Sequence, residues 1–404
     1  MSDSQPTGPL AIPKASLTQA PWPVFDTEQV QAVTHVLESG KVNYWTGQTG
    51  REFEKEFAAW CGSKKSLAIS NGTATLELIL RGLRLKPGDE VITTPRTFIA
   101  SSSACAFHGF VPVLADIDTD SGNITPETVA PLITNKTRAI LPVHLGGWPC
   151  DMGGFQSLAE QHRLHVIEDC AQAHGANVNG KSVGTFGIAN SWSFCQDKIM
   201  TTGGEGGMVT TDDEELWARM WSLKDHGKNF DTVYNRQHPP GFRWLHETWG
   251  TNWRMTEMQS AIGRVQLTRM PDWHNQRKAN AHRFIQHFKE LSAVRIPLPA
   301  AGLTHAWYRL YVYIRPEALK DGWSRDRIQA ECGVLGVPLS VGSCSEIYKE
   351  KAFKMCHLGP KEPLPGAAEL TETALAFLVH PGLTEAMIDE TAAIFCHVVK
   401  TATR

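Results

Sequence analysis

Residues 66–85 read SLAISNGTATLELILRGLRL: a short apolar run from Ser66 to Ser70, a small-residue turn, and a helix-length stretch from Ala74 to Leu85. A strand that passes through a turn into a helix is the first half of a parallel strand-helix-strand unit. The pattern repeats outward from it. VITT (91–94), VPVLADI (111–117), AILPVHL (139–145), HVIEDC (165–170), SWSFC (191–195) and GMVTT (207–211) are short apolar runs separated by longer connecting stretches. Strands alternating with helices predict an α/β fold with a mainly parallel sheet covered on both faces. Ligands of such sheets collect at the carboxyl ends of the strands.

On the N-terminal side, a polar, Pro-rich arm ends near Pro23, and Thr27 to Leu37 has helical spacing (Val30, Val33, Leu37) before the exit at Ser39-Gly40. On the C-terminal side, Thr251 to Phe288 is helical in pattern (Met258, Ile262, Val265, Leu267) and carries the chain away from the sheet. Beyond it, YRLYVYI (308–314) reads as a strand and Ser324 to Cys332 as a helix. Thr384 to Val399 reads as a terminal amphipathic helix capped by Thr384. A chain of 404 residues exceeds the roughly 250–300 at which single cores stop growing, so two domains are expected. Residues 1–255 are expected to form the arm and a large domain, and residues 256–404 the linking helix and a smaller α+β domain.

A net charge of -3 gives a nucleic-acid partner no electrostatic support. Nine cysteines, with no C-x-x-C pair and no Cys/His cluster at metal spacing, predict reduced thiols and no metal site. No run reaches the ~18 apolar residues that span a bilayer, and the N-terminus lacks the pattern of an export signal. The expectation is a cytoplasmic protein. The 13 tryptophans suit a pocket, a core or a subunit interface.

Three segments offer chemistry. VIEDCAQAHG places Glu168 and Asp169 at the end of an apolar strand, as a cleft acid or as a cap for a helix after it. SFCQDKIMTTGGEGG places Lys198 between a strand and a Gly-rich turn, either as a surface charge or as a nucleophile. A Schiff-base lysine has to attack as the neutral amine, so its pKa is expected to fall well below the ordinary ~10.4. SNGTATLEL sets Thr73 and Ala74 at a helix N-terminus, where orphan N–H groups and the helix dipole favour phosphate. G-x-G-x-x-G after a strand and G-x-x-x-x-G-K-[ST] are both missing, so dinucleotide or NTP binding by the usual route is not expected.

Ten blocks in order extend these segments: EFEKEFAAW, SNGTATLEL, TPRTFIAS, VLADIDTDSGNI, VHLGGWPCDM, VIEDCAQAHGA, SFCQDK, GGEGGMVTTDDEEL, DHGKN and GTNWRMTEMQSAIGRVQL. From about Trp22 to the C-terminus the chain resembles the sugar aminotransferases of the DegT/DnrJ/EryC1/StrS type. The resemblance implies a fold-type I transferase and the cofactor pyridoxal 5'-phosphate, held covalently as an aldimine by Lys198. It implies that Asp169 pairs with the pyridinium nitrogen, Gln172 lies by the 3-hydroxyl and Phe98 stacks on the ring. It also implies that Thr73, Ala74 and Ser193 hold the phosphate, together with Asn252 of the partner subunit in a homodimer with shared sites. The implied reaction moves an amino group from L-glutamate to a keto sugar, foremost a nucleotide-linked 4-keto-deoxyhexose. Its product would serve lipopolysaccharide or another glycoconjugate.

Other readings are an aminotransferase for a non-nucleotide ketone such as an inosose, a pyridoxal-phosphate-dependent sugar dehydratase, and a non-catalytic sensor. Lys198 opposes the dehydratase, in which relatives carry histidine at this position. NYWTG (43–47) is expected near the substrate mouth. GSCSEIY (342–348) departs from the histidine-containing segment of many relatives. The stretch Val233 to Glu247 is assigned either to a cover over a nucleotide or to the dimer contact.

Overall fold

The structure, a computed structural model, describes residues 14–17, 20–237, 241, 243–337 and 339–404. Its centre is a seven-stranded sheet. From edge to edge the strands are Lys65–Ile69, Gly207–Thr211, Ala189–Ser193, His165–Asp169, Thr137–Ile140, Glu90–Thr93 and Val111–Leu114. Only Gly207–Thr211 runs against the rest, pairing antiparallel with both its neighbours. The others share one direction, as the strand-helix alternation predicts. Fully buried Leu67, Ile69, Val91, Leu141, Ile167 and Val209 form the core against the helices, the two-sided burial expected of a parallel sheet.

The first helix starts at Gly72 rather than Ala74 and ends at Gly82. Asn71, its N-cap, accepts from the Ala74 N–H at 2.9 Å. Gly207 on the antiparallel strand approaches so closely that a Cβ there would lie 2.8 Å from the Asn71 carbonyl. The turn is therefore pressed against the sheet.

A single helix, Glu257–Phe288, leads from this sheet to a second, three-stranded one of order Val294–Arg295, Arg309–Ile314, Ala374–Leu378. The helices Arg325–Val334 and Glu385–Ala402 accompany it, capped by Ser324 and Thr384 respectively. Phe284, Phe288, Phe377 and Phe395 pack into one aromatic cluster there, with ring centroids about 5 Å apart.

The N-terminal helix forms where the spacing predicts it, with a buried face of its own. The helix Thr27–Glu38 forms, capped by Asp26, but Val30 and Leu37 are exposed. Its buried face carries Gln29 and Val36, and Gln29 accepts from the Gln266 amide at 2.8 Å. A polar pair between helices therefore takes part in seating it.

Candidate functional site

At the carboxyl ends of the central strands lies a cavity of about 1140 Å³. Thr73, Ala74, Phe98, Asp169, Gln172, Ser193 and Lys198 all line it. Seven of the eight residues singled out in the sequence thus meet in one place. Asn252 does not line the cavity of its own chain; it is exposed and bridges to Asp225.

Alternation along His165–Asp169 separates the two acids. Glu168 points away from the cavity, and its carboxylate accepts from the N–H groups of Gly184, Phe186 and Gly187 and from His144 Nε2. The Cys150 N–H donates to His144 Nδ1, so the ring proton sits on Nε2. That closes the buried His144, Glu168, Cys170 group to a metal, since both carboxylate oxygens and both ring nitrogens are engaged.

Asp169 faces the cavity. One oxygen accepts from the Ser101 hydroxyl at 3.0 Å and the other from the Ala171 N–H at 3.1 Å. No helix comes directly after it, so the capping reading reduces to this local turn. Burial pushes the Asp169 carboxyl up; the two donors and the charge of Lys198 oppose that shift. A cationic group placed against it would hold the carboxylate ionised.

Lys198 lies in the turn after Ala189–Ser193, mostly buried, with its carbonyl accepting from the Trp22 indole at 3.0 Å. Here the expected low amine pKa is not found. Burial lowers it, but Tyr308 and the Asp197 carboxylate, whose Oδ1 is 3.4 Å from Nζ, outweigh burial and raise the amine above its ordinary value. With only the chain's own groups around it, Lys198 is a paired ammonium.

The same cavity has a close-fitting polar wall. A Cβ at Gly72 would fall 2.6 Å from Ser193 Cβ. Because Asn71 already takes the Ala74 N–H, the first-turn amides of Gly72 and Thr73 are the helix's orphan donors. The Ser193 hydroxyl sits beside them and accepts from the Cys195 N–H at 3.3 Å. Phe98 is 68% exposed in the wall of the cavity. The Gln172 side-chain oxygen is held by the Gly146 N–H at 2.7 Å. A flat ring with a cationic nitrogen at one edge and a phosphate at another fits this set.

The outer wall was less legible. Tyr308, Arg309 and Tyr311 reach in from the second sheet, and Gly342, Ser343 and Cys344 of GSCSEIY complete it. The Ser343 N–H donates to the Tyr311 hydroxyl at 3.0 Å. Asp197, next to Lys198 in sequence, and Ser101, last in TPRTFIAS, carried signals by adjacency alone. Trp45 of NYWTG is not in this cavity wall; it packs on Trp221 and stacks with Tyr234. Val233 to Glu247 lies partly outside the described residues.

Known proteins resemble this chain over most of its length. The chain matches the DegT/DnrJ/EryC1/StrS aminotransferase family over residues 23–395. The solved structure of an aminotransferase from Psychrobacter cryohalolentis superposes with a TM-score of 0.93 at 53% identity, over 95% of this chain and 99% of that one. GDP-perosamine synthase of Caulobacter vibrioides is 36% identical over 366 residues, covering 88% of this chain and 92% of its own length. The dTDP-3-amino-3,4,6-trideoxy-alpha-D-glucose transaminase of Streptomyces venezuelae is 34% identical over 352 residues, 87% of each chain. The chain belongs to the DegT/DnrJ/EryC1/StrS aminotransferase family, enzymes of fold type I that use pyridoxal 5'-phosphate.

Proposed function

We propose that this enzyme transfers the amino group of L-glutamate to a nucleotide-linked keto-deoxyhexose, a 4-keto sugar first among them, and that it works as a cytoplasmic homodimer with shared active sites. The product is an amino sugar for lipopolysaccharide or another glycoconjugate. The observation that carries the reading is the convergence of Lys198, Asp169 and the Thr73/Ser193 wall on one cavity large enough for a sugar nucleotide. The dTDP- and GDP-linked sugars in the relatives' names support the acceptor class. Among the described residues no helix is long and apolar enough to cross a membrane.

Each residue takes a role that its position permits. The cofactor supplies an electron sink for the carbon being aminated or deaminated. Lys198 holds it and, once released, carries the proton away from the donor's α-carbon as a base and returns one as an acid. Asp169 holds the proton on the ring nitrogen, and Gln172 binds the ring's hydroxyl edge. Phe98 covers a ring face. Gly72 and Thr73 amides, with the Ser193 hydroxyl, bind phosphate at the positive end of the helix, and Asn252 of the partner subunit completes that seat. Ala74 contributes packing, since its N–H belongs to Asn71.

The test is spectroscopic. The purified protein loaded with pyridoxal phosphate is expected to absorb as a yellow species that requires Lys198, and L-glutamate is expected to convert it to the pyridoxamine form. Nucleotide-linked keto sugars are then expected to reverse the change. Loss of the yellow form in Lys198→Ala, with cofactor still bound non-covalently, would agree. Glutamate that leaves the spectrum unchanged overturns the donor, and a response restricted to free ketones overturns the nucleotide-sugar acceptor.

A further inference from the structure

The cavity contains an acid to which none of these roles falls. Asp197 is half exposed and has three partners. Its Oδ1 lies 3.4 Å from Lys198 Nζ, its Oδ2 accepts from the Tyr308 hydroxyl, and the same oxygen lies 3.9 Å from Arg309 Nη2. Asp197 belongs to the turn after the strand Ala189–Ser193. Arg309 opens the strand Arg309–Ile314 in the other sheet, and Tyr308 directly precedes it. The contact therefore ties the two sheets together beside the reactive amine. Arg309 and Tyr308 also stack, with the guanidinium 5.0 Å from the ring centre.

We propose that Asp197, held by Tyr308 and Arg309, is a positioning residue for amino transfer that stabilises the positive charge on Lys198 nitrogen whenever that nitrogen carries a proton. The inference rests on the assignment of Lys198 to the cofactor. In the proton-transfer step the C–H bond at the donor's α-carbon breaks and an N–H bond forms on Nζ. The electron pair stays with the carbon and is drawn toward the cofactor, so a full charge appears on a nitrogen that was neutral. A fixed carboxylate at 3.4 Å offsets that charge.

The groups around the pair favour an ionised Asp197. Burial would raise its carboxyl, but Lys198, the Tyr308 hydroxyl and Arg309 together hold it below the ordinary value. Among the other titratable groups that act on Lys198, Tyr308 raises it most, ahead of Asp197, and Cys195, Asp169 and the buried, neutral His174 also act on it. Asp169 is committed to the ring edge. That leaves Asp197 as the ionised neighbour in direct contact with Nζ.

Asp197→Asn keeps the shape and the bond to Tyr308 but removes the charge, whereas Asp197→Glu keeps the charge. Two readings separate a charge effect from a merely structural pin. One is the pH at which the bound cofactor's absorption passes between its protonated and unprotonated forms. The other is the split between kcat and KM for L-glutamate. Removing a nearby carboxylate disfavours the protonated form, so the spectral midpoint is expected to fall by about one pH unit in Asp197→Asn. Its kcat is expected to drop about 10- to 100-fold with KM changed less than about threefold, and Asp197→Glu is expected to recover most of both. A midpoint equal to wild type in Asp197→Asn overturns the proposal, as does equal damage from the two variants. Wild-type protein without a Lys198-dependent absorption would sink the cofactor assignment itself. An absorption that depends on Lys198 but ignores Asp197 would sink only the role of Asp197.

Discussion

Adjacent acids on one strand end up with opposite duties because side chains alternate across a sheet. Glu168 is a structural anchor, saturated by three backbone N–H groups and His144. Asp169 has two donors and is pushed up by burial, which leaves it in need of a cation. Asp169→Asn removes a buried charge while retaining the shape and an acceptor for Ser101. The folded protein is expected to keep its thermal midpoint within about 3 °C, while turnover falls by about 10²- to 10⁴-fold. Thermal scans and steady-state rates on the same preparation check this, and turnover within about fivefold of wild type would remove Asp169 from the ring nitrogen. The strand end was legible from VIEDC. Alternation alone left open which acid enters the cavity, because a one-residue shift of the pleat exchanges them; the family resemblance named Asp169.

At the scale of elements, signals that lie within a few residues were readable and those that cross the chain were not. Thr384 beside its helix could be seen as a cap in the sequence. The helix Thr49–Cys61 is different: its N-cap residue Gln48 makes no capping bond with its side chain. Glu257, more than 200 positions away and buried, accepts from the N–H groups of Thr49 at 2.7 Å and Gly50 at 3.0 Å. A carboxylate at a helix N-terminus satisfies orphan donors and opposes the dipole at once. Gly47 makes room for it, since a Cβ there would overlap the Glu257 carboxylate. Glu257→Ala is expected to destabilise the fold by about 1–3 kcal/mol, as loss of a buried charged acceptor does. The denaturant midpoint at fixed slope measures it, and a change under about 0.5 kcal/mol would mean that water replaces the carboxylate. The same distinction explains the helix Thr27–Glu38, where the deciding contact was Gln29 to Gln266 and no local periodicity records it.

Across the whole molecule, the interior holds several neutral histidines. His174 and His305 are held down at about 3 and His380 at about 4, in each case chiefly by burial. The buried Arg277 contributes for His174 and His380, and its guanidinium lies 5.1 Å over the Trp22 ring, which stacks on His380. In the unfolded chain the three titrate near the ordinary 6.5. Between that value and about 4, the unfolded state binds more protons than the folded one, so stability must fall as the pH falls through this window. Each histidine contributes up to about 1.4 kcal/mol per pH unit. From pH 6.5 to 5 the three together remove about 5 kcal/mol, which is comparable with the total stability of about 5–15 kcal/mol of a typical protein. The raised carboxyls of Asp169 and Glu54 act in the opposite sense as the pH falls through their raised range toward the ordinary carboxylate value, and offset part of that loss. The urea midpoint is therefore expected to be flat above pH 7 and to drop steeply between pH 6.5 and 5. Replacing His380 with Asn should reduce that slope by about one proton, because Asn has nothing to protonate in either state. A midpoint independent of pH across this range would mean that the folded interior accepts these protons.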